Sequence, residues 1–567
     1  MFTNLPNDAR AAFDWSWEQL EPYYADLQSR ELSAGNIGQW VADWSHLSEL
    51  VGELYARLYI ATTVDTTDAE AEQRFNNYLD NIYPHTATHD QALKEKLLAS
   101  GLQPEGFEIP LRNMRAEAEL FRQENIPIFT QIQKLGSEYD KIIGAQTVEW
   151  EGEEKTLAQL APVYQEQERD KRERVWRLSS ERQLADREAL NNLWRQLMDL
   201  RLQLAQNAGY DNFRDYQWKN FKRFDYTPED CETFHAAIEA SVVPLAQQIY
   251  EKRRQQLGVE ALRPWDLDVD PQGRTPLRPF ENSSEQVSKA EAIFSKLDPQ
   301  LGEYFAVMRR EDLLDLDNRK GKAPGGYQYD LALVKRPFIF MNSVGLHDDV
   351  QTLLHEGGHA FHSFESAKLP YYHQREFSAE IAEVASMAME LLASPYLAAS
   401  EGGYYSEADA ARARIQHLEG IIQFWPYMAV VDAFQHWVYT HHQDATDPAN
   451  CDAKWAELWD RFMKGIDYTG LEDSKATGWH RKLHIFQIPF YYVDYGLAQL
   501  GAVQVWRNAL TDQSHALRQY REALALGGTR PLPQLYAAAG AKFAFDNATV
   551  SEAVSLIEKT LNELEAV

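Results

Sequence analysis

The chain has 567 residues, 44% of them hydrophobic, and a formal net charge of −30. That length can bury a large core, and that charge disfavours nucleic acid and anionic membrane, neither of which is expected as a partner. Its two cysteines, Cys231 and Cys451, make no disulfide framework and neither stands in a metal-ligand spacing, so a reducing compartment is expected.

The start, MFTNLPNDARAAFDWSWEQLEPYY, has no basic n-region and no apolar h-region, and no apolar run reaches the length of a membrane span. A soluble cytoplasmic protein is expected. Residues 8–100 read as amphipathic helices. Trp40, Trp44, Leu47, Leu50, Val51, Leu54 and Leu58 recur at helical spacing and are core packing rather than a cofactor box. Pro104 and Pro110 mark a turn region, and 147–157 (TVEWEGEEKTL) predicts a hairpin turning at Glu151-Gly152. Leu190, Leu193, Leu197, Leu200 and Leu204 then define a helix that stops at Asn207-Ala208-Gly209.

In 258–285, four prolines (264, 271, 276 and 279) exclude a continuous helix, and WDLDV is expected to be a short strand. Gly325 to Tyr329 reads as a flexible turn, followed by an alternating strand over 337–342. An exposed edge on that strand can pair with an extended peptide without demanding a particular sequence. The architecture as a whole is mainly α, with a small β element close to the segment that follows.

That segment is His355-Glu356-Gly357-Gly358-His359. On a helix the two histidines lie one turn apart on one face and can grip one metal ion, with Glu356 next round to reach a water. Zinc is expected, because two nitrogens plus one carboxylate leave a fourth position open. Asp348 and Asp349 suit the start of this helix, and Val350, Leu353, Leu354, Phe361 and Phe364 supply its apolar face. Each helical glycine costs about 1 kcal/mol relative to alanine, so Gly357 and Gly358 predict close approach of another backbone or of substrate. The next helix, read over 376–392, offers a third ligand: Glu376, Glu380, Glu383, Met387 and Glu390 form one stripe on an otherwise apolar helix. Spacing alone does not choose between Glu380 and Glu383. Farther on, His480–Leu500 reads HRKLHIFQIPFYYVDYGLAQL, with Pro489 in the first turn of a helix on which Tyr491 and Tyr495, and also Tyr492 and Tyr495, share a face.

HEGGHAFH followed by EFSAEIAEVASMAMELL resembles the thimet oligopeptidase and oligoendopeptidase F family of zinc metallopeptidases, on the oligoendopeptidase F side. The resemblance implies a large helical fold with two halves around a deep channel, and one zinc ion per chain held by His355, His359 and Glu383. It implies Glu356 as general base, and His484 with Tyr492 and Tyr495, or Tyr491 as a close alternative, stabilising the reacting carbonyl oxygen. Glu380 and Glu390 are candidates to hydrogen-bond a ligating imidazole, while His362 is either a packing residue or a substrate contact. AGYDNFRDYQW resembles the start of the family's catalytic region, giving an N-terminal helical domain over 1–200 and a catalytic domain over 201–567. The phrase RPWDL also matches.

The implied activity is hydrolysis of internal bonds in short unstructured peptides, with the oligomeric state left open. Two rivals are weighed. A helical metallocarboxypeptidase needs cations for a free terminal carboxylate, and Arg481 and Lys482 lie near the right stretch. A non-enzymatic peptide-binding protein with a structural metal has no need of Glu356.

Overall fold

The computed structural model describes residues 2–566. Its regular structure is helical apart from a two-stranded hairpin and a three-stranded sheet, as the periodicity predicts. The long helix α1 (Ile37–Val64) buries Trp40, Trp44, Leu47, Leu50, Leu54 and Leu58. These belong to an apolar core that draws on residues from Phe2 to Met114, whereas a second, larger core runs from Leu120 to Leu561. The hairpin pairs β1 (Thr147–Trp150) with β2 (Glu153–Thr156). Its turn residues, Glu151 (φ 53°) and Gly152 (φ 85°), both take positive φ, as a type I′ two-residue hairpin turn demands.

Helix α2 (Pro228–Ser241) opens on a reciprocal cap between Thr227 and Asp230. The strand expected at WDLDV is absent. Pro264–Asp266 is a single helical turn, because Asp266 accepts from the Arg263 amide and from Arg169 and Arg172, and Arg172 also binds the Trp265 carbonyl. Those side-chain bonds take the backbone groups a sheet ladder would need.

The sheet has strands β3 (Leu314–Asp317), β4 (Tyr327–Leu331) and β5 (Arg336–Ser343) in the order β3-β5-β4, with β3 parallel and β4 antiparallel to β5. The 337–342 strand therefore exists but is central. The sheet's two edges belong to β3 and β4, and β4 starts at Tyr327, inside the segment read as a flexible turn.

Helix α3 (His347–Ser366) is capped by Asp349, whose Oδ2 accepts from the amides of Leu346 and Val344. Helix α4 (Ala379–Ala393) begins three residues later than the stripe suggested, so Glu376 lies outside it. Helix α5 (Glu407–Thr440) follows, and α6 (Tyr492–Ala509) closes the site. Pro489 does not sit in the first turn of α6. Phe490 intervenes with φ 69°, held there by Gln435 on its amide and Arg223 on its carbonyl, each at 2.7 Å.

The two glycines explain how α3 meets α4. A Cβ on Gly358 would stand 2.5 Å from the Ala385 carbonyl oxygen and 2.6 Å from Ser386 Cα, and one on Gly357 would stand 2.7 Å from the Phe294 ring. The backbone approach expected from the sequence is that of α4. Gly358→Ala should therefore lower stability by about 1–3 kcal/mol through overpacking, despite the gain in helix propensity. Urea unfolding checks this, and a stabilised variant would contradict the packing argument.

Candidate metal centre

The close contact of α3 with α4 brings three side chains together. His355 and His359 lie with ring centroids 4.9 Å apart. Glu383 Oε2 stands 3.3 Å from His355 Nε2 and 3.5 Å from His359 Nε2. Ligands bound tetrahedrally about 2.0–2.1 Å from one zinc ion lie roughly 3.3–3.4 Å from one another, so the donor set fits zinc. Glu380, one turn earlier, is directed elsewhere. Its Oε1 accepts from the Tyr226 hydroxyl at 2.6 Å and lies 3.5 Å from Arg223 Nε.

Around this set each ligand is held. His355 presents Nε2 to Glu383 and uses Nδ1 to donate to Glu390 Oε1 at 2.7 Å. Glu390 Oε2 in turn meets His417 Nε2 at 2.8 Å, from α5. Of the two carboxylates proposed for the imidazole N–H, Glu390 fills the position and Glu380 does not. His417 escaped the sequence reading because it lies on another helix, at no motif spacing from Glu390. Glu390→Gln should weaken metal binding by about 10–100-fold, the usual effect of losing such a partner, measurable by chelator competition. Unchanged affinity would show that the bond orients nothing.

Glu356 is buried and its Oε2 has no hydrogen-bond partner among the described residues. Burial pushes its carboxyl above the usual glutamate value. Gly326, just before β4, passes close over it: a Cβ there would come within 3.8 Å of Glu356 Oε1. His362 is a packing residue, buried and stacked on Phe377 at 3.6 Å between centroids.

The aromatic stretch divides. Tyr491 donates to Glu383 Oε1 at 2.7 Å, so both oxygens of that carboxylate are engaged. Tyr495 Oη lies 3.2 Å from Nε2 of His484, which stands on a short turn, Leu483–Gln487. Burial, then the charges of Glu383, keeps the Tyr491 and Tyr495 hydroxyls protonated far above neutral pH. Burial, reinforced by Lys482, pushes His484 down to about 3, which leaves it neutral. Tyr492 is placed differently. Its hydroxyl accepts from Lys482 Nζ at 3.2 Å and its ring packs on Phe424 and Tyr427.

With this geometry in view, the chain matches peptidase family M3 over residues 163–554, and the peptidase M3 N-terminal domain over 14–108. The protein belongs to peptidase family M3. It is 24% identical over 389 residues to the chromosomal oligoendopeptidase F of Lactococcus lactis subsp. cremoris, covering 64% of this chain and 58% of that one. To oligopeptidase PepF of Bacillus subtilis strain 168 it is 25% identical over 331 residues, covering 57% and 47%. The match thus spans about half the length of these relatives. A solved structure of PZ peptidase A with inhibitor 2 superimposes with a TM-score of 0.92 at 27% identity, covering 99% of both chains.

A cavity of about 710 Å³ runs along β4, lined by Tyr24, Tyr55 and Lys94 from the first apolar core's helices and by Tyr329, Ser363 and Arg375 from the second part of the chain. Among the described residues, no helix is long and apolar enough to cross a membrane.

Proposed function

We propose that this M3 peptidase is a zinc-dependent endopeptidase that cleaves internal bonds of short, unstructured oligopeptides. The observation that carries the reading is the unpartnered, buried Glu356 carboxylate beside a three-ligand set whose spacings suit zinc. A zinc ion held by His355, His359 and Glu383 would supply Lewis-acid polarisation of the scissile carbonyl and of the attacking water. Glu356 accepts the water's proton and returns it to the leaving nitrogen. Tyr495 donates its hydroxyl to the oxygen that becomes negative, with neutral His484 beside it. Tyr491 holds Glu383, and Tyr492 supports the cluster from behind through Lys482.

Substrate lies extended along the free edge of β4, where main-chain hydrogen bonds give affinity without sequence selection. We place the channel between an N-terminal helical domain over 1–200 and a catalytic domain over 201–567, and the protein in the cytoplasm. The free, buried Cys231 and Cys451 support that compartment. The carboxypeptidase reading is less well served, since Arg481 donates to Gln183 and Lys482 to Tyr492.

Tyr495→Phe should lower kcat by about 10²-fold with little change in KM, as for a donor that acts mainly in the transition state. A changed KM with normal kcat would make Tyr495 a substrate contact. The substrate class is tested by incubating the zinc-loaded protein with an unstructured oligopeptide, a folded protein and the same protein unfolded. Cleavage of the peptide alone, or of the peptide and the unfolded chain, is expected. Rapid cutting of the folded protein at its loops would overturn the channel.

A further inference from the structure

A second cluster of ligand-type side chains lies away from the candidate centre, between α2 and α5. Each helix contributes a pair one turn apart: Cys231 and His235 from α2, Asp432 and His436 from α5. All four are buried, at 0%, 4%, 0% and 6% exposure. One donor atom from each of Cys231, Asp432 and His436 lies within 4.8 Å of the other two. Asp432 Oδ2 stands 2.9 Å from His235 Nε2 and 3.2 Å from His436 Nε2. The arrangement repeats that of Glu383, where one carboxylate oxygen also faces two imidazole nitrogens.

Hydrogen bonding accounts for only part of this cluster, the His235–Asp432 contact. Asp432 Oδ1 and both ring nitrogens of His436 have no hydrogen-bond partner among the described residues, so the 3.2 Å approach of His436 to Asp432 is not an aligned N–H donation. Buried polar atoms are nearly always satisfied, and a buried carboxylate calls for a cation. The guanidinium of Arg223 pairs with Asp494 at 2.6 Å and lies 3.5 Å from Glu380, and among the described residues no ion pair links it to Asp432. Around the cluster stand Trp218, Phe490 and Phe462, which offer no charge.

We infer that Cys231, Asp432 and His436 form a second, structural site for a divalent metal of the zinc class. A thiolate, a carboxylate and an imidazole are its preferred ligand types. The two negative ligands would neutralise the dication in an apolar setting. His235 holds Asp432 as Glu390 holds His355, fixing the ligand's orientation. The site would lock α2 onto α5, the helix that also carries His417 to Glu390, without touching substrate.

Cobalt(II) exchange of the full-length protein tests this, because a thiolate ligand gives a near-ultraviolet charge-transfer band that the His355, His359 and Glu383 set cannot produce. The wild type should bind two equivalents of zinc by elemental analysis and show the cobalt band. Cys231→Ser should lose the band and one equivalent while keeping peptide hydrolysis, and should unfold at a lower temperature. Glu383→Ala should keep the band and one equivalent, which separates this site from the candidate centre. If Cys231→Ser fails to fold, the band in wild type and in Glu383→Ala decides alone. One equivalent or fewer in the wild type with no thiolate band would overturn the inference and leave a metal-free histidine–carboxylate network. A band that survives Cys231→Ser would overturn it as well.

Discussion

Glu356→Gln should reduce turnover by about 10³-fold or more while leaving the metal content equal to that of the wild type. The amide keeps the size and shape of the carboxylate but cannot take a proton, and a positioned base contributes about 10²–10⁴-fold. The residue touches neither histidine's donor atom in a ligand role, and its Oε2 has no other partner to lose. Packing around it should therefore survive, with an unchanged unfolding temperature as the control. Loss of zinc from this variant by elemental analysis would show that Glu356 is a ligand. Retained turnover would show that the proton goes elsewhere.

Glu383→Ala should lose the metal of the His355–His359 pair and, with it, peptide hydrolysis down to background. Removing Glu383 takes away the oxygen that stands 3.3 and 3.5 Å from the two imidazoles. Two histidines alone leave the ion without the charge and the third ligand that such sites need. Glu380→Ala is the informative partner. Glu380 receives the Tyr226 hydroxyl and lies beside Arg223 in a buried network, so its loss should destabilise the fold by about 3–5 kcal/mol and spare the metal. If Glu380→Ala loses the metal and Glu383→Ala keeps it, the ligand set is displaced by one turn.

The sequence made the chemistry of α3 legible because an i, i+4 histidine pair depends only on helix geometry. Gly357 and Gly358 were legible for the same reason, as positions where a side chain would collide with something, and the structure supplies Ala385 and Phe294. Features that depend on the packing of distant segments were not legible. The strand over 336–343 proved central, with β3 and β4 as the edges, since strand order is set by what pairs with it and not by its own pattern. Glu376 matched the acidic stripe yet falls outside α4, whose N-cap is the extended Ser378.

The tyrosines show the limit most sharply. Tyr491 caps α6 and faces Glu383, while Tyr492, one residue on, is rotated onto Lys482. Helical spacing alone gave both the same standing, and the strained Phe490 that sets their rotation is held by Gln435 and Arg223 from far along the chain. Cys231 stood in no recognised metal-ligand spacing because its partners Asp432 and His436 lie about two hundred residues away.

The most direct measurement is mass analysis of the products from an oligopeptide blocked at both ends, incubated with the zinc-loaded protein. An endopeptidase needs neither terminus, so two fragments from one internal cut are expected, and the same incubation with Glu356→Gln should leave the peptide whole. An intact blocked peptide, with residues trimmed only from the carboxyl end of its unblocked form, would contradict the account.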